Sequence, residues 1–88
     1  MKRINIKDYN SNMGILIDVR DPIYYQKEHY QNSINIPYNK LLLNYKSLLD
    51  KNKKYFITCT KGHKSKKAVS ILEFYGYDVT QVYSDWLK

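Results

Sequence analysis

Short apolar runs of strand length alternate with segments of helical periodicity along this chain, and the alternation leaves few folds open to it. The apolar runs lie at residues 15–19, 33–36, 55–58 and 79–83, and residues 4–6 form a candidate first strand. Helical segments between successive strands are typical of β–α–β units, because parallel neighbours need a long crossover connection. The pattern therefore predicts an α/β fold built on a parallel sheet.

Three helical segments separate the later strands. The pair Asp21-Pro22 is typical of a helix N-terminus, with a short helix expected to run to about His29. Apolar residues recur at helical spacing over residues 41–49. A third helix is predicted with Ser65 as its N-cap and Gly76 just past its C-terminus. Its inward-facing residues are expected to be Ala68, Val69, Ile71, Leu72 and Tyr75.

The chain length and the single cysteine exclude several classes of protein. A chain of 88 residues suits one domain over residues 1–88. Its start carries basic residues with no apolar stretch behind them, and no run approaches the ~20 apolar residues of a membrane span. A cytoplasmic location without a membrane partner is therefore expected. Because Cys59 is the one cysteine, an internal disulfide and a multi-cysteine metal site are excluded. Trp86 is expected to pack the end of the chain.

The excess positive charge is concentrated in one window of the sequence. Of the 15 Lys and Arg residues, seven lie within residues 51–72, whereas all eight Asp and Glu residues lie outside it. The remaining eight basic residues balance the eight acidic ones, so the net charge of +7 surrounds Cys59. The lysines of this window form either a solvated face or a positively charged patch whose electric field attracts an anion.

Cys59 and the residues after it form the better of two candidate sites. Ligands bind beyond the carboxyl ends of strands in open parallel sheets, where this chain places Asp18 and Arg20 after one strand and Cys59 after another. Cys59 leads through Thr60-Lys61-Gly62-His63-Lys64 into the helix at Ser65. A glycine loop and a helix start direct backbone N–H groups at one point, which favours an anion and a thiolate over a thiol.

Each of these residues also has a purely structural interpretation. A lone cysteine after a buried strand is often an inert core residue. His63 has only cationic neighbours, which suits a solvent-facing loop residue more than a general base. Asp18 and Arg20 are expected to form an ion pair at the strand end and to support the site rather than act in it.

Two motifs together resemble the rhodanese family. Leu16-Ile17-Asp18-Val19-Arg20, followed by Tyr25, His29 and Ile34-Asn35-Ile36-Pro37, is similar to the first half of the rhodanese signature. The second half is similar to a segment that contains Cys59, Gly62, Lys64, Ser65, Ala68 and Gly76-Tyr77. In the family this half reads Cys-x-x-Gly-x-Arg-Ser. The likeness covers nearly the whole chain, in order and at the family's spacing.

The resemblance implies a five-stranded parallel sheet flanked by helices and a catalytic Cys59 that forms a persulfide. In the family this cysteine takes a sulfane sulfur from thiosulfate or another donor and passes it to a thiol acceptor, which can be a protein, or to cyanide in assays. Residues Thr60 to Ser65 would bind the substrate anion, with Lys64 in the place of the family's Arg. No cofactor and no metal are expected.

Loop length and three departures from the family pattern refine this expectation. Four residues separate Cys59 from Lys64, as in sulfurtransferases, whereas phosphatase relatives have a longer loop. Glu28 and Asn32 replace two family glycines, although Asn tolerates positive φ better than most residues. Lys64 lacks the planar fork of Arg.

Two other functions are compatible with a basic domain of this kind. One is a rhodanese-like binding module with little turnover, which the intact Cys59 argues against. The other is a nucleic-acid binder that uses the basic residues 51–67. The sequence does not favour a nucleic acid partner, because it has no stacking motif and no recognition helix.

Overall fold

Residues 1–84, which the computed structural model describes, form a sheet of five parallel strands with helices on its faces. The strands are β1 (Lys2–Asn5), β2 (Ile15–Asp18), β3 (Ser33–Asn35), β4 (Lys54–Thr58) and β5 (Asp78–Tyr83). The α-helices are α1 (Pro22–Lys27), α2 (Tyr38–Leu48) and α3 (His63–Phe74), and a 3₁₀ turn spans Ile6–Asp8. The predicted five-stranded parallel α/β fold is confirmed.

The strand order β1-β5-β4-β2-β3 places β4 at the centre of the sheet. Ile57 of β4 pairs with Ile17 of β2 on one side and with Gln81 of β5 on the other. The residue that follows β4 therefore emerges at the middle of the sheet's carboxyl edge, where parallel sheets bind ligands. That residue is Cys59.

Alternate side chains of β4 enter two separate apolar clusters. Tyr55 and Ile57 belong to the larger cluster, together with Cys59 just after the strand and core residues of α2 and α3. Phe56 belongs to a smaller cluster on the other face, with Leu16 and Val82. Full burial of a side chain such as Ile57 contributes about 1.5–3 kcal/mol. Packing on both faces of the sheet therefore fixes β4, and with it the loop that begins at Cys59.

The two positions where the family has glycine are accommodated by different backbone conformations. Asn32 has a φ of 68°, in the left-handed region that asparagine tolerates. Glu28 has a φ of −164°, which is extended backbone that any residue adopts. Both residues are therefore compatible with the backbone between α1 and β3.

The third helix differs from its sequence-based prediction at its start and on one side. It begins at His63, with Gly62 as N-cap, so Ser65 lies inside the first turn and is not the cap. Ala68, Val69 and Leu72 are buried as expected, but Ile71 and Tyr75 are 37% and 46% exposed. Tyr75 stacks on Tyr45 of α2 instead, with 5.1 Å between the ring centres. Gly76, with a φ of 92°, follows the helix as predicted.

No helix within residues 1–84 is long and apolar enough to cross a membrane. The packing predicted for Trp86 concerns a residue outside the described part of the chain.

Candidate active site

Cys59 follows β4 and lies at the base of an open cleft, with 8% of its surface exposed. The backbone N–H of Ser65 donates to Sγ of Cys59 at 3.2 Å. The thiol also contacts the hydroxyl of Ser65, at a Sγ–Oγ distance of 3.3 Å. The Ser65 hydroxyl donates its own hydrogen to the carbonyl of Gly62, so the Ser65 N–H is the donor that can stabilise negative charge on this sulfur.

The loop after Cys59 turns directly into α3 at Gly62. Gly62 has a φ of 84°, in the region that favours glycine, and a Cβ there would lie 3.2 Å from Nε2 of Gln81. Because the turn is this tight, the N-terminus of the 12-residue helix α3 lies against Cys59. The positive end of the helix dipole therefore adds to the stabilisation of negative charge on the sulfur.

Gln81 of β5 holds the loop from the sheet side, and the sequence analysis did not identify it. Its side chain is almost fully buried, and Nε2 donates to the carbonyl of Gly62 at 3.0 Å and to Oγ of Ser65 at 3.2 Å. Its Oε1 accepts a hydrogen bond from Nε of Arg3 at 3.1 Å. A polar residue inside an apolar strand was the available signal.

The cleft above Cys59 has a volume of about 650 Å³ and a cationic lining. The predicted binding residues Thr60, Lys61, Gly62 and His63 line it. Residues from β1, β5 and α3 that the sequence analysis did not identify line it too, namely Arg3, Gln81, Tyr83 and Lys66. None of the described residues that line the cleft is acidic. The arrangement therefore favours an anionic ligand beside the sulfur.

Two of the predicted binding residues, Lys64 and Ser65, do not line the cleft. Lys64 is exposed in the first turn of α3 and is not one of the residues that line the cleft. Ser65 is fully buried and reaches the site through its contacts with Cys59. The binding roles predicted for the residues of this loop stay predictions.

Asp18 and Arg20 form a buried ion pair at the end of β2, away from the cleft lining. Nη2 of Arg20 donates to Oδ2 of Asp18 at 2.8 Å and to the carbonyl of Glu28 at 2.7 Å. Nδ2 of Asn35 donates to the carbonyls of both Asp18 and Arg20. Burial raises the pKa of Tyr30, near this pair. The pair joins the chain after β2 to α1 and β3, which is consistent with a supporting role.

Comparisons with known proteins agree with this geometry. The family model of the rhodanese-like domain matches residues 2–86. Thiosulfate sulfurtransferase PspE of Escherichia coli (strain K12) is 40% identical over 62 residues, which cover 69% of this chain and 60% of that protein. The match thus spans less than two thirds of this curated relative.

Two solved structures extend the likeness to the three-dimensional fold. A rhodanese-related protein from Thermoplasma volcanium is 33% identical with a TM-score of 0.85, over 93% of this chain and 83% of that one. A rhodanese with anions from E. coli is 36% identical with a TM-score of 0.70, over 80% and 85% of the two chains. With the family model matching nearly its whole length, the chain belongs to the rhodanese-like domain family.

Proposed function

We propose that this protein is a sulfurtransferase that carries a sulfane sulfur as a persulfide on Cys59. The observation that carries the proposal is the position of Sγ, which accepts the Ser65 N–H at the base of an open cleft lined by cationic side chains. A merely structural cysteine needs neither the hydrogen bond nor access to a cleft. The donor is an anion such as thiosulfate, and the acceptor is a thiol.

In the first half-reaction the Cys59 thiolate attacks the outer, sulfane sulfur of thiosulfate. A bond forms between Sγ and this sulfur while the sulfur–sulfur bond to the sulfonate breaks, and its electron pair leaves with sulfite. The persulfide that forms is again an anion. The Ser65 N–H and the N-terminus of α3 stabilise it by the same interactions that favour the thiolate.

In the second half-reaction an acceptor thiolate attacks the outer sulfur of the persulfide. The new persulfide forms on the acceptor, the bond to Sγ breaks, and its electron pair restores the Cys59 thiolate. The two half-reactions exchange sulfur between nucleophiles and need no external oxidant or reductant. The open cleft leaves room for a donor and an acceptor to reach the same sulfur in turn.

The relatives support this assignment. PspE is named a thiosulfate sulfurtransferase, and a solved relative of 36% identity is a rhodanese with anions. A domain that binds ligands without turnover would not require the contacts of Sγ with Ser65.

The proposal is tested by measuring thiocyanate formation from thiosulfate and cyanide. We expect turnover by the wild type, and none by Cys59→Ser or by wild type first alkylated with iodoacetamide, because Cys59 is the one thiol of the chain. Thermal unfolding of each sample shows that the fold is retained. A folded wild type without turnover would support the binding module instead, and turnover by Cys59→Ser would contradict the mechanism.

A further inference from the structure

Arg3 lies on the edge strand β1, yet its side chain reaches the cleft of Cys59. It pairs in parallel register with Gln81, so both side chains lie on the sheet face that carries α3. Nε of Arg3 donates to Oε1 of Gln81 at 3.1 Å, and Cζ lies 4.5 Å from the centre of the Tyr83 ring. The hydrogen bond and the cation–π contact together fix the orientation of the guanidinium group.

Neither contact uses the terminal nitrogens of the guanidinium group. Among residues 1–84, no protein acceptor forms a hydrogen bond with Nη1 or Nη2 of Arg3, and no carboxylate forms an ion pair with it. Lys2, its neighbour on β1, is in contrast paired with Asp78. Within the described part of the chain, the two terminal NH₂ groups of Arg3 therefore remain available to a ligand in the cleft.

A chain of hydrogen bonds connects Arg3 to the reacting sulfur. Arg3 donates to Gln81, Gln81 donates to the hydroxyl of Ser65, and this hydroxyl contacts Sγ of Cys59. The guanidinium group and the sulfur are thus held by the same buried amide. A donor anion bound by Arg3 has a defined position relative to Cys59, which is the requirement for attack on one particular sulfur atom.

The lysine side chains near Cys59 lack the planar geometry of the Arg3 guanidinium group. Lys64 is outside the cleft lining, and Lys61 and Lys66 end in flexible point charges. Within the described part of the chain, Arg3 is the one residue of the cleft with a planar fork that matches two oxygens of an oxyanion. We infer that Arg3 binds the sulfonate end of the sulfur donor and stabilises sulfite as it leaves, a role that rests on the proposed function.

The first test uses alkylation of Cys59, which does not depend on sulfur transfer. Iodoacetate and iodoacetamide react with the same thiolate, but iodoacetate alone carries an oxyanion. We expect Arg3→Met to lower the ratio of the iodoacetate rate to the iodoacetamide rate by about tenfold, since one charge-assisted contact is lost. Arg3→Lys should recover part of the ratio, because it restores the charge without the fork.

Lys67→Met is the matched control for this experiment. Lys67 is exposed on α3, lies outside the cleft lining, and its replacement changes the net charge by the same amount. We expect the alkylation ratio of Lys67→Met to equal that of the wild type. An equal fall in both variants would mean that only the general field attracts anions, and an unchanged ratio in Arg3→Met would overturn the assignment.

The second test measures thiocyanate formation with thiosulfate as donor. We expect Arg3→Met to lower kcat/KM for thiosulfate by about tenfold while its iodoacetamide rate stays at the wild-type value, which shows intact Cys59 chemistry. Wild-type kcat/KM in Arg3→Met would overturn the inference. If the wild type shows no turnover, the proposed function fails, and the alkylation ratio still decides whether Arg3 binds oxyanions.

Discussion

Replacing Gln81 by Met tests whether a single buried amide holds the active-site loop on the sheet. Methionine is unbranched and of similar size, so it fills the same space but removes the hydrogen bonds to Gly62, Ser65 and Arg3. The Gly62 carbonyl keeps two donors, the N–H of Lys66 and the hydroxyl of Ser65. No buried acceptor of the loop is therefore left without a partner.

The size of the effect follows from these contacts. Each of the two buried bonds contributes about 1 kcal/mol net, and the bond to exposed Arg3 contributes less. Burial of the methionine side chain in place of an amide offsets part of the loss, so we expect a loss of about 1–2 kcal/mol in unfolding free energy. In urea the midpoint should fall by about 0.5–1.5 M at unchanged slope.

The catalytic effect should exceed what the loss of stability explains. With the loop and Arg3 no longer held by one amide, kcat/KM for thiosulfate should fall at least about tenfold, under conditions where the variant is fully folded. Thr80→Val is the control, because Thr80 is a buried neighbour on β5 that faces away from the cleft. A wild-type urea midpoint and wild-type kcat/KM in Gln81→Met would refute this account of the loop.

Substitutions at three further positions test the turn, the charge and the left-handed backbone found there. Gly62→Ala places a Cβ at a φ of 84° and close to Gln81, so we expect the free energy of unfolding in urea to fall by about 1–2 kcal/mol and turnover to be reduced. A wild-type free energy of unfolding together with wild-type turnover would contradict the tight turn at Gly62. Lys64→Met should raise KM for thiosulfate less than Arg3→Met does, and Lys64→Arg should preserve kcat/KM. If Lys64→Met and the wild type have the same KM at low salt, Lys64 belongs to the solvated surface. Asn32→Ala should lose about 1 kcal/mol of unfolding free energy while Asn32→Gly stays near the wild type; equal stability of Ala and Gly there would contradict the left-handed conformation.

The parts of the molecule that the sequence predicts are those set by neighbouring residues. Period and composition over a few residues identify the apolar strands and the helices between them, and the family motifs imply a sheet of five parallel strands. The position of Cys59 between a buried strand and a glycine turn is likewise local information. The N-cap of α3 is predicted three residues late because Ser65 has a good N-cap side chain, whereas Gly62 ends the loop by its backbone conformation.

The residues that the sequence analysis did not identify come together through strand pairing. Arg3 and Gln81 are 78 positions apart and meet because β1 lies beside β5. No local pattern specifies which strand pairs with β5 at that edge of the sheet. Nor does one specify that the side chains of Arg3 and Gln81 lie on the same sheet face as the cleft of Cys59. The part of the cleft that provides the guanidinium group therefore becomes visible only in the folded structure.

The central claim is that Cys59 carries the transferred sulfur, and intact-protein mass spectrometry tests it most directly. After treatment with thiosulfate and removal of excess reagent, the wild type should gain the mass of one sulfur atom and lose it again on addition of cyanide. Cys59→Ser, treated in the same way, should show no change in mass. An unchanged mass in the wild type, or the same gain in Cys59→Ser, would contradict a persulfide on Cys59.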